Sequence, residues 1–293
     1  MPLQQKNLKP KLLRITAILL AMLLMLSSAV LLILRLHPDL DLILIQTTVK
    51  RKAVSFEKAD LPLQEYSLTQ LCQAKNCIFN QALMLINEEF LLPEDFSPEV
   101  TEYKNTGVIM NSCVIPAYTR LSADILQKYK KKLLIKSSFR TEEEQKDTEG
   151  IEGFVARPGA SEHQAGLALD VYVPYFAGSA FPKTDAGRFI NLESWRYGFI
   201  MRYPFDKTDI THIGYEPWHI RYTGQPHAEI IYKNSLTLEE YILQMEENVL
   251  YTSCGYWITR QRGDRFQLPE NFQTVTVSPD NTGCFIFTML PAG

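Results

Sequence analysis

The chain is short of histidine, with five in 293 residues. It also holds five cysteines, and no two of them form a CxxC pair. That argues against a cysteine-based zinc site, which is built from closely spaced pairs. No HExxH stretch occurs, so a helix carrying two histidine ligands one turn apart is excluded. Positive charge is not in excess: 30 Lys and Arg face 33 Asp and Glu, for a formal charge of −3. Residues 1–14 hold Lys6, Lys9, Lys11 and Arg14 and no acid, so the remainder carries −7. Nothing in that balance favours nucleic acid as a partner. Internal repeats and low-complexity tracts are absent. The composition, 46% hydrophobic and 22% charged, is that of a folded protein.

Charge is missing altogether from residues 15–34, ITAILLAMLLMLSSAVLLIL. As a helix this run is about 30 Å long, the thickness of a bilayer core. The basic residues before it predict that 1–14 stay in the cytoplasm and the rest crosses. A cleaved signal peptide is the competing reading, with Ser27-Ser28-Ala29 as a small-residue site. The apolar run continues through Val30 to Leu34, longer than a signal core, and favours an uncleaved anchor. An exported chain is open to disulfides, and Cys72–Cys77 and Cys254–Cys284 are the candidate pairs. With Cys113 the count is odd, so at least one thiol is free or pairs with another chain.

Residues 35–59 read as a stalk, with a strand candidate at 38–49. NQALMLIN, residues 80–87, reads as a strand that Pro93 cuts off shortly after. An amphipathic helix is expected over 121–132, from Leu121, Ile125 and Tyr129, and a strand over 133–139. Thr141 and Glu144 form a capping box that starts another helix. Residues 147–160 read as a loop and 186–199 as a helix with Phe189, Leu192 and Trp195 on its apolar stripe. A strand is expected over 216–222, irregular at Pro217. Residues 236–249 suit a helix capped by Thr237 and Glu240. YWITRQ, QTVTVS and CFIFTML then alternate as strands of a small β appendage.

Two stretches carry the chemistry: SEHQAGLALD, residues 161–170, and EPWH, residues 216–219. Catalytic zinc takes three protein ligands and leaves one position open. His163, Asp170 and His219 are the candidate set. His163 and Asp170 are seven apart with Gly166 between them, so a turn and adjoining strands must supply them. Glu216, three residues before His219, is the candidate general base and acid. Arg140, just past a candidate strand, is the candidate partner for an oxyanion. Each residue alone has a blander meaning: a core or surface histidine, a turn aspartate, a surface ion pair, a solvated arginine. Their joint occurrence is the signal. Trp195, Trp218 and Trp257 read as core residues, with Trp218 also placed to wall the site. His37 and His227 read as surface residues, and His212 as an exposed loop residue.

SSFRTEEEQ (137–145), RPGASEHQAGLALD (157–170), RYGFIMRYP (196–204) and GYEPWHIRYTG (214–224) together resemble the VanY-type D-alanyl-D-alanine carboxypeptidases. That family sits in a zinc peptidase superfamily with D-Ala-D-Ala dipeptidases and the hedgehog signalling domain. The resemblance covers roughly residues 80 to 225. It implies an α+β fold whose central antiparallel sheet carries a zinc site and is flanked by helices. It implies one Zn2+ per domain, held by His163, Asp170 and His219, with Glu216 as base and Arg140 steadying the substrate carbonyl. Ser161 and Gln145 would touch the substrate's C-terminal end. The implied activity is removal of the terminal D-alanine from peptidoglycan stem peptides, the D,D bond being favoured over the L,D bond. A D-Ala-D-Ala dipeptidase and a non-catalytic wall-binding module are the alternatives. The implied layout is a bacterial single-pass membrane protein: cytoplasmic tail 1–14, anchor 15–34, stalk 35–59, extracytoplasmic zinc domain 60–235, and helix with β appendage 236–293. Relatives commonly have Gly and Tyr where this chain has Ser138 and Phe139, which puts the details of substrate contact at issue.

Overall fold

The computed structural model describes residues 8–36, 38–48, 51–74, 76–148 and 156–292. Lys6, His37 and part of the expected 147–160 loop lie outside the described residues. The chain divides into two compact units after Thr48. In the first, Leu8–Leu36 is one helix, and its stretch Leu13–Ile33 is long and apolar enough to cross a membrane. Pro38–Thr48 is also helical, where alternation predicted a strand. The alternation is only partial there: Leu42, Ile43, Leu44 and Ile45 run without a break, and a continuous apolar run does not distinguish strand from helix.

The second unit holds two main sheets. The smaller contains Leu134–Ser137, Ala168–Tyr172, His219–Tyr222 and Phe199–Met201, in that spatial order and antiparallel throughout. Leu167, Leu169, Val171 and Ile220 pack with Leu121 and Ile125 of the helix Ile115–Tyr129. The larger sheet runs Glu57–Lys58, Leu250–Ser253, Tyr256–Gln261, Phe285–Pro291, Phe272–Pro279 and Cys77–Phe79. The three alternating C-terminal stretches are thus strands of one sheet, whose outer partners come from before residue 80: Glu57–Lys58 on Leu250–Ser253 and Cys77–Phe79 on Phe272–Pro279. All five cysteines are free thiols, so neither candidate disulfide forms.

Residues 80–87 do not form the expected strand. Ala82 to Ile86 are buried, but their polar groups are satisfied one by one rather than by a ladder. Leu85 N–H donates to the Asp280 carbonyl and Leu83 N–H to Ser278 Oγ. The Ala82 and Met84 carbonyls accept from the Arg221 guanidinium at 3.1 and 2.8 Å. The expected 186–199 helix stops at Glu193, and a 3-10 turn follows to Gly198, whose φ of +88° ends it. The 236–249 helix is shorter too, Leu238–Leu243: beyond it the Asn248 N–H donates to the Arg260 carbonyl at 2.8 Å, and Asn248 takes a φ of +63° that a right-handed helix does not allow.

His227 is buried, not on the surface. Its Nδ1 lies 2.7 Å from the Tyr241 hydroxyl and its Nε2 2.8 Å from Thr288 Oγ1. Burial among neutral partners pushes its pKa down to about 3. Between that value and the unfolded value near 6.5 the unfolded chain binds the extra proton, so stability falls as pH falls. The contribution is intact above about pH 6.5 and shrinks by about 2 kcal/mol on going from pH 7 to pH 5. Urea unfolding at the two pH values is expected to show a smaller loss in His227→Gln than in the parent chain. Equal losses would remove His227 from the acid response.

Candidate active site

Local turns and strand register bring the two quoted motifs together. His163 sits on a single 3-10 turn, Glu162–Ala165, that Gly166 closes at φ +67°. A Cβ on Gly166 would lie 2.7 Å from the Asn111 backbone nitrogen, so no larger residue fits that turn. The chain then enters the strand Ala168–Tyr172, where Asp170 is the register partner of His219. Directly opposed residues of neighbouring strands share a face, which explains how two candidate ligands forty-nine residues apart meet. Glu216 precedes that strand in a turn, with the His219 N–H donating to its carbonyl at 3.0 Å. Pro217 lies in this turn rather than in the strand, and its carbonyl accepts from Asn191.

One ligand atom from each of His163, Asp170 and His219 lies within 4.8 Å of the others. His163 Nδ1 is 2.7 Å from the Ser138 carbonyl. A carbonyl can only accept, so Nδ1 carries the proton and Nε2 presents a lone pair. That Nε2 is 3.6 Å from Asp170 Oδ1, and His219 Nδ1 is 3.2 Å from the same oxygen. Asp170 Oδ1 is buried and accepts no hydrogen bond. A buried carboxylate oxygen without a donor, facing two imidazole nitrogens, fits a divalent cation.

The electrostatics agree. Burial pushes the Asp170 carboxyl up, but the His163 and His219 rings outweigh it and hold it well below the usual carboxylate range. Burial lowers His163, opposed by Asp170, which favours a neutral ring. Burial also lowers His219, yet the facing carboxylates of Asp170, Glu162 and Glu216 raise it to about 9. Such a field holds a positive charge at this point, either a proton on His219 or a metal ion in its place.

Glu216 Oε2 is 3.4 Å from His219 Nδ1. Burial, reinforced by the Asp170 charge, raises its pKa to about 7 against the pull of His219 and Arg140. Arg140 follows the strand Leu134–Ser137 and is half-buried, and its Nε has no hydrogen-bond partner. Both residues line a cavity of about 360 Å3 together with the three candidate ligands, Ser161 and Gln145. Gln145 is fixed by donating to the Ala156 carbonyl, and its Oε1 remains unpaired. All seven residues singled out in the sequence therefore share one cavity. Tyr203 and Glu162 also line it, and both lie inside motif stretches where no role was assigned to them. Trp218 packs against the core and is not among the lining residues. His212 is exposed.

The VanY family model, described as D-alanyl-D-alanine carboxypeptidase, matches residues 109–225. The D-alanyl-D-alanine carboxypeptidase of Enterococcus faecium is 33% identical over 240 residues, which cover 73% of this chain and 77% of that one. The solved structure of VanYB in complex with D-alanine-D-alanine is 32% identical, with a TM-score of 0.50. That match covers 56% of this chain and 99% of VanYB. The vancomycin resistance D,D-dipeptidase VanXYg shares the fold at a TM-score of 0.58 and 24% identity, over 79% of this chain and 99% of its own. Identity of this level across more than three quarters of the Enterococcus enzyme settles the kinship, and the chain belongs to the VanY family of D-alanyl-D-alanine carboxypeptidases.

Proposed function

We propose that this chain is a zinc-dependent carboxypeptidase that removes the terminal D-alanine from peptidoglycan stem peptides. The observation that carries the zinc assignment is the unpaired Asp170 Oδ1 between His163 Nε2 and His219 Nδ1. Two imidazoles and one carboxylate are a donor set suited to catalytic zinc. When bound there, zinc supplies Lewis-acid polarisation of a carbonyl and acidification of a water molecule. The remaining work falls to the chain's own residues. Glu216 takes a proton from the attacking water and returns it to the leaving amine, so the base becomes the acid. Arg140 keeps its charge although burial lowers its pKa, because Asp170 and Glu216 oppose the shift. Its unpaired Nε is free to donate to the oxygen on which negative charge develops. The Ser161 hydroxyl donates to the substrate's terminal carboxylate, and the free Gln145 Oε1 accepts an N–H from the same end of the peptide.

In the same reading the helix containing Leu13–Ile33 is a membrane anchor, with residues 1–14 in the cytoplasm. Residues 35–59 lead from it to the site-bearing stretch 60–235. Residues 236–293 form the appendage, which pairs with Glu57–Lys58 and Cys77–Phe79. The catalytic unit then faces the wall outside the membrane, where its substrate lies.

Incubation with a stem pentapeptide ending in D-Ala-D-Ala, and with the matching tetrapeptide, separates the possibilities by product. Free D-alanine from the pentapeptide, read by mass spectrometry, is the expected result. Release of the intact dipeptide would mark a dipeptidase, and release from the tetrapeptide alone an L,D-enzyme. No release from either, with zinc bound, would favour a wall-binding module.

A further inference from the structure

Next to the candidate ligands lies a group of four buried charges that the proposed chemistry does not use. Glu162 and Arg202 are each 1% exposed, Arg221 is 0% and Glu239 is 5%. Glu162 Oε1 accepts from Arg202 Nε at 2.7 Å and lies 3.3 Å from Arg221 Nε. Arg202 turns its other two nitrogens onto Glu239, at 2.9 and 2.5 Å. Asn87 donates to Glu239 Oε1 at 3.2 Å. The two acids and two arginines balance. Balance alone gives little reason for such a group, since apolar residues of equal volume are often as stabilising as a buried ion pair.

Two atoms left over suggest the reason. Glu162 Oε2 and His219 Nε2 are both buried, and neither has a hydrogen-bond partner. They face each other at 3.7 Å. Contacts of this kind run long before ligand binds and tighten afterwards. An ionised carboxylate can only accept, so closure of this contact places the ring proton on Nε2. The lone pair is then on Nδ1, the nitrogen that faces Asp170 Oδ1 and Glu216.

We propose that Glu162 is the positioning residue of the metal centre: clamped by Arg202 and Arg221, it accepts the Nε2 proton of His219 and thereby presents Nδ1 to the metal. Glu239 completes the frame from the helix Leu238–Leu243, beyond the 109–225 match. Asn87 holds Glu239 from the buried segment before that match. Both flanks of the matched region are thus connected to the orientation of one ligand. The inference rests on the zinc reading above.

Glu162→Gln tests it. A glutamine whose oxygen stays with the arginines turns its NH2 group toward the Nε2 proton, donor against donor. Zinc affinity, measured by competition with a chromogenic chelator, is expected to fall ten- to a hundredfold. The cobalt(II)-substituted protein is expected to change its visible absorption, while the circular dichroism of the metal-free protein stays that of the parent. Glu239→Gln is expected to shift zinc affinity in the same direction by a smaller factor. Zinc affinity within twofold of the parent in Glu162→Gln would overturn the proposal. Should that variant fail to fold, nitrogen NMR of the zinc-loaded parent decides. A His219 ring protonated at Nε2 and metal-bound at Nδ1 supports the role, and the reverse overturns it. A parent chain that binds no zinc would sink the metal reading instead. The Glu162 contact is then read in the metal-free parent as a slowly exchanging His219 Nε2 proton, whose absence overturns it.

Discussion

Glu216→Ala is expected to keep its zinc and lose its turnover. The carboxylate is not one of the three donors that converge within 4.8 Å of one another, so metal content should stay near one per chain. Its pKa of about 7 is what a group must have to take a proton from water and hand it back to an amine near neutral pH. General acid–base groups contribute on the order of 10²- to 10⁴-fold, and here one residue would serve both transfers. A fall in kcat of about 10³-fold is therefore expected, with KM little changed. Folding should not suffer. A carboxyl whose pKa burial has raised is strained when ionised, so its removal should leave the melting temperature equal or higher. The paired measurement is kcat and elemental zinc on the same preparation. A kcat within a few-fold of the parent would remove Glu216 from the chemistry.

His163→Ala is expected to fail one step earlier, at the metal. His163 supplies one of the three candidate donors found among the described residues, and its Nε2 is pre-set by the bond from Nδ1 to the Ser138 carbonyl. With two ligands left, zinc should be lost on dialysis against a weak chelator, and hydrolysis should drop to background. The fold should persist, weakened by about 1–3 kcal/mol for the Ser138 carbonyl left without its donor. A full complement of zinc in the dialysed variant would refute the ligand assignment.

What was legible in the sequence was mostly local. The capping boxes Thr141–Glu144 and Thr237–Glu240 both form, because their reciprocal bonds span only three residues. The strand Leu134–Ser137 and the helix Ile115–Tyr129 follow period and breakers. The site was legible as residue types at recognisable spacing. The register that pairs Asp170 with His219 was not, since no local rule aligns strands forty-nine residues apart. Two of the misreadings come from long-range partners. Residues 80–87 look like a strand, yet Arg221, Ser278 and Asp280 take their backbone groups. His227 looked like a surface residue because Tyr241 and Thr288 lie 14 and 61 residues away. The Glu162, Arg202, Arg221 and Glu239 frame spans 77 residues between its outermost members and has no sequence period at all.

The most direct test of the central claim is D-alanine release from a stem pentapeptide across one cycle of metal removal and return. The parent chain is assayed as purified, after exhaustive chelation, and after addition of one equivalent of zinc. The zinc reading predicts release in the first state, none in the second and recovery in the third. Release that survives with no measurable metal bound would contradict it.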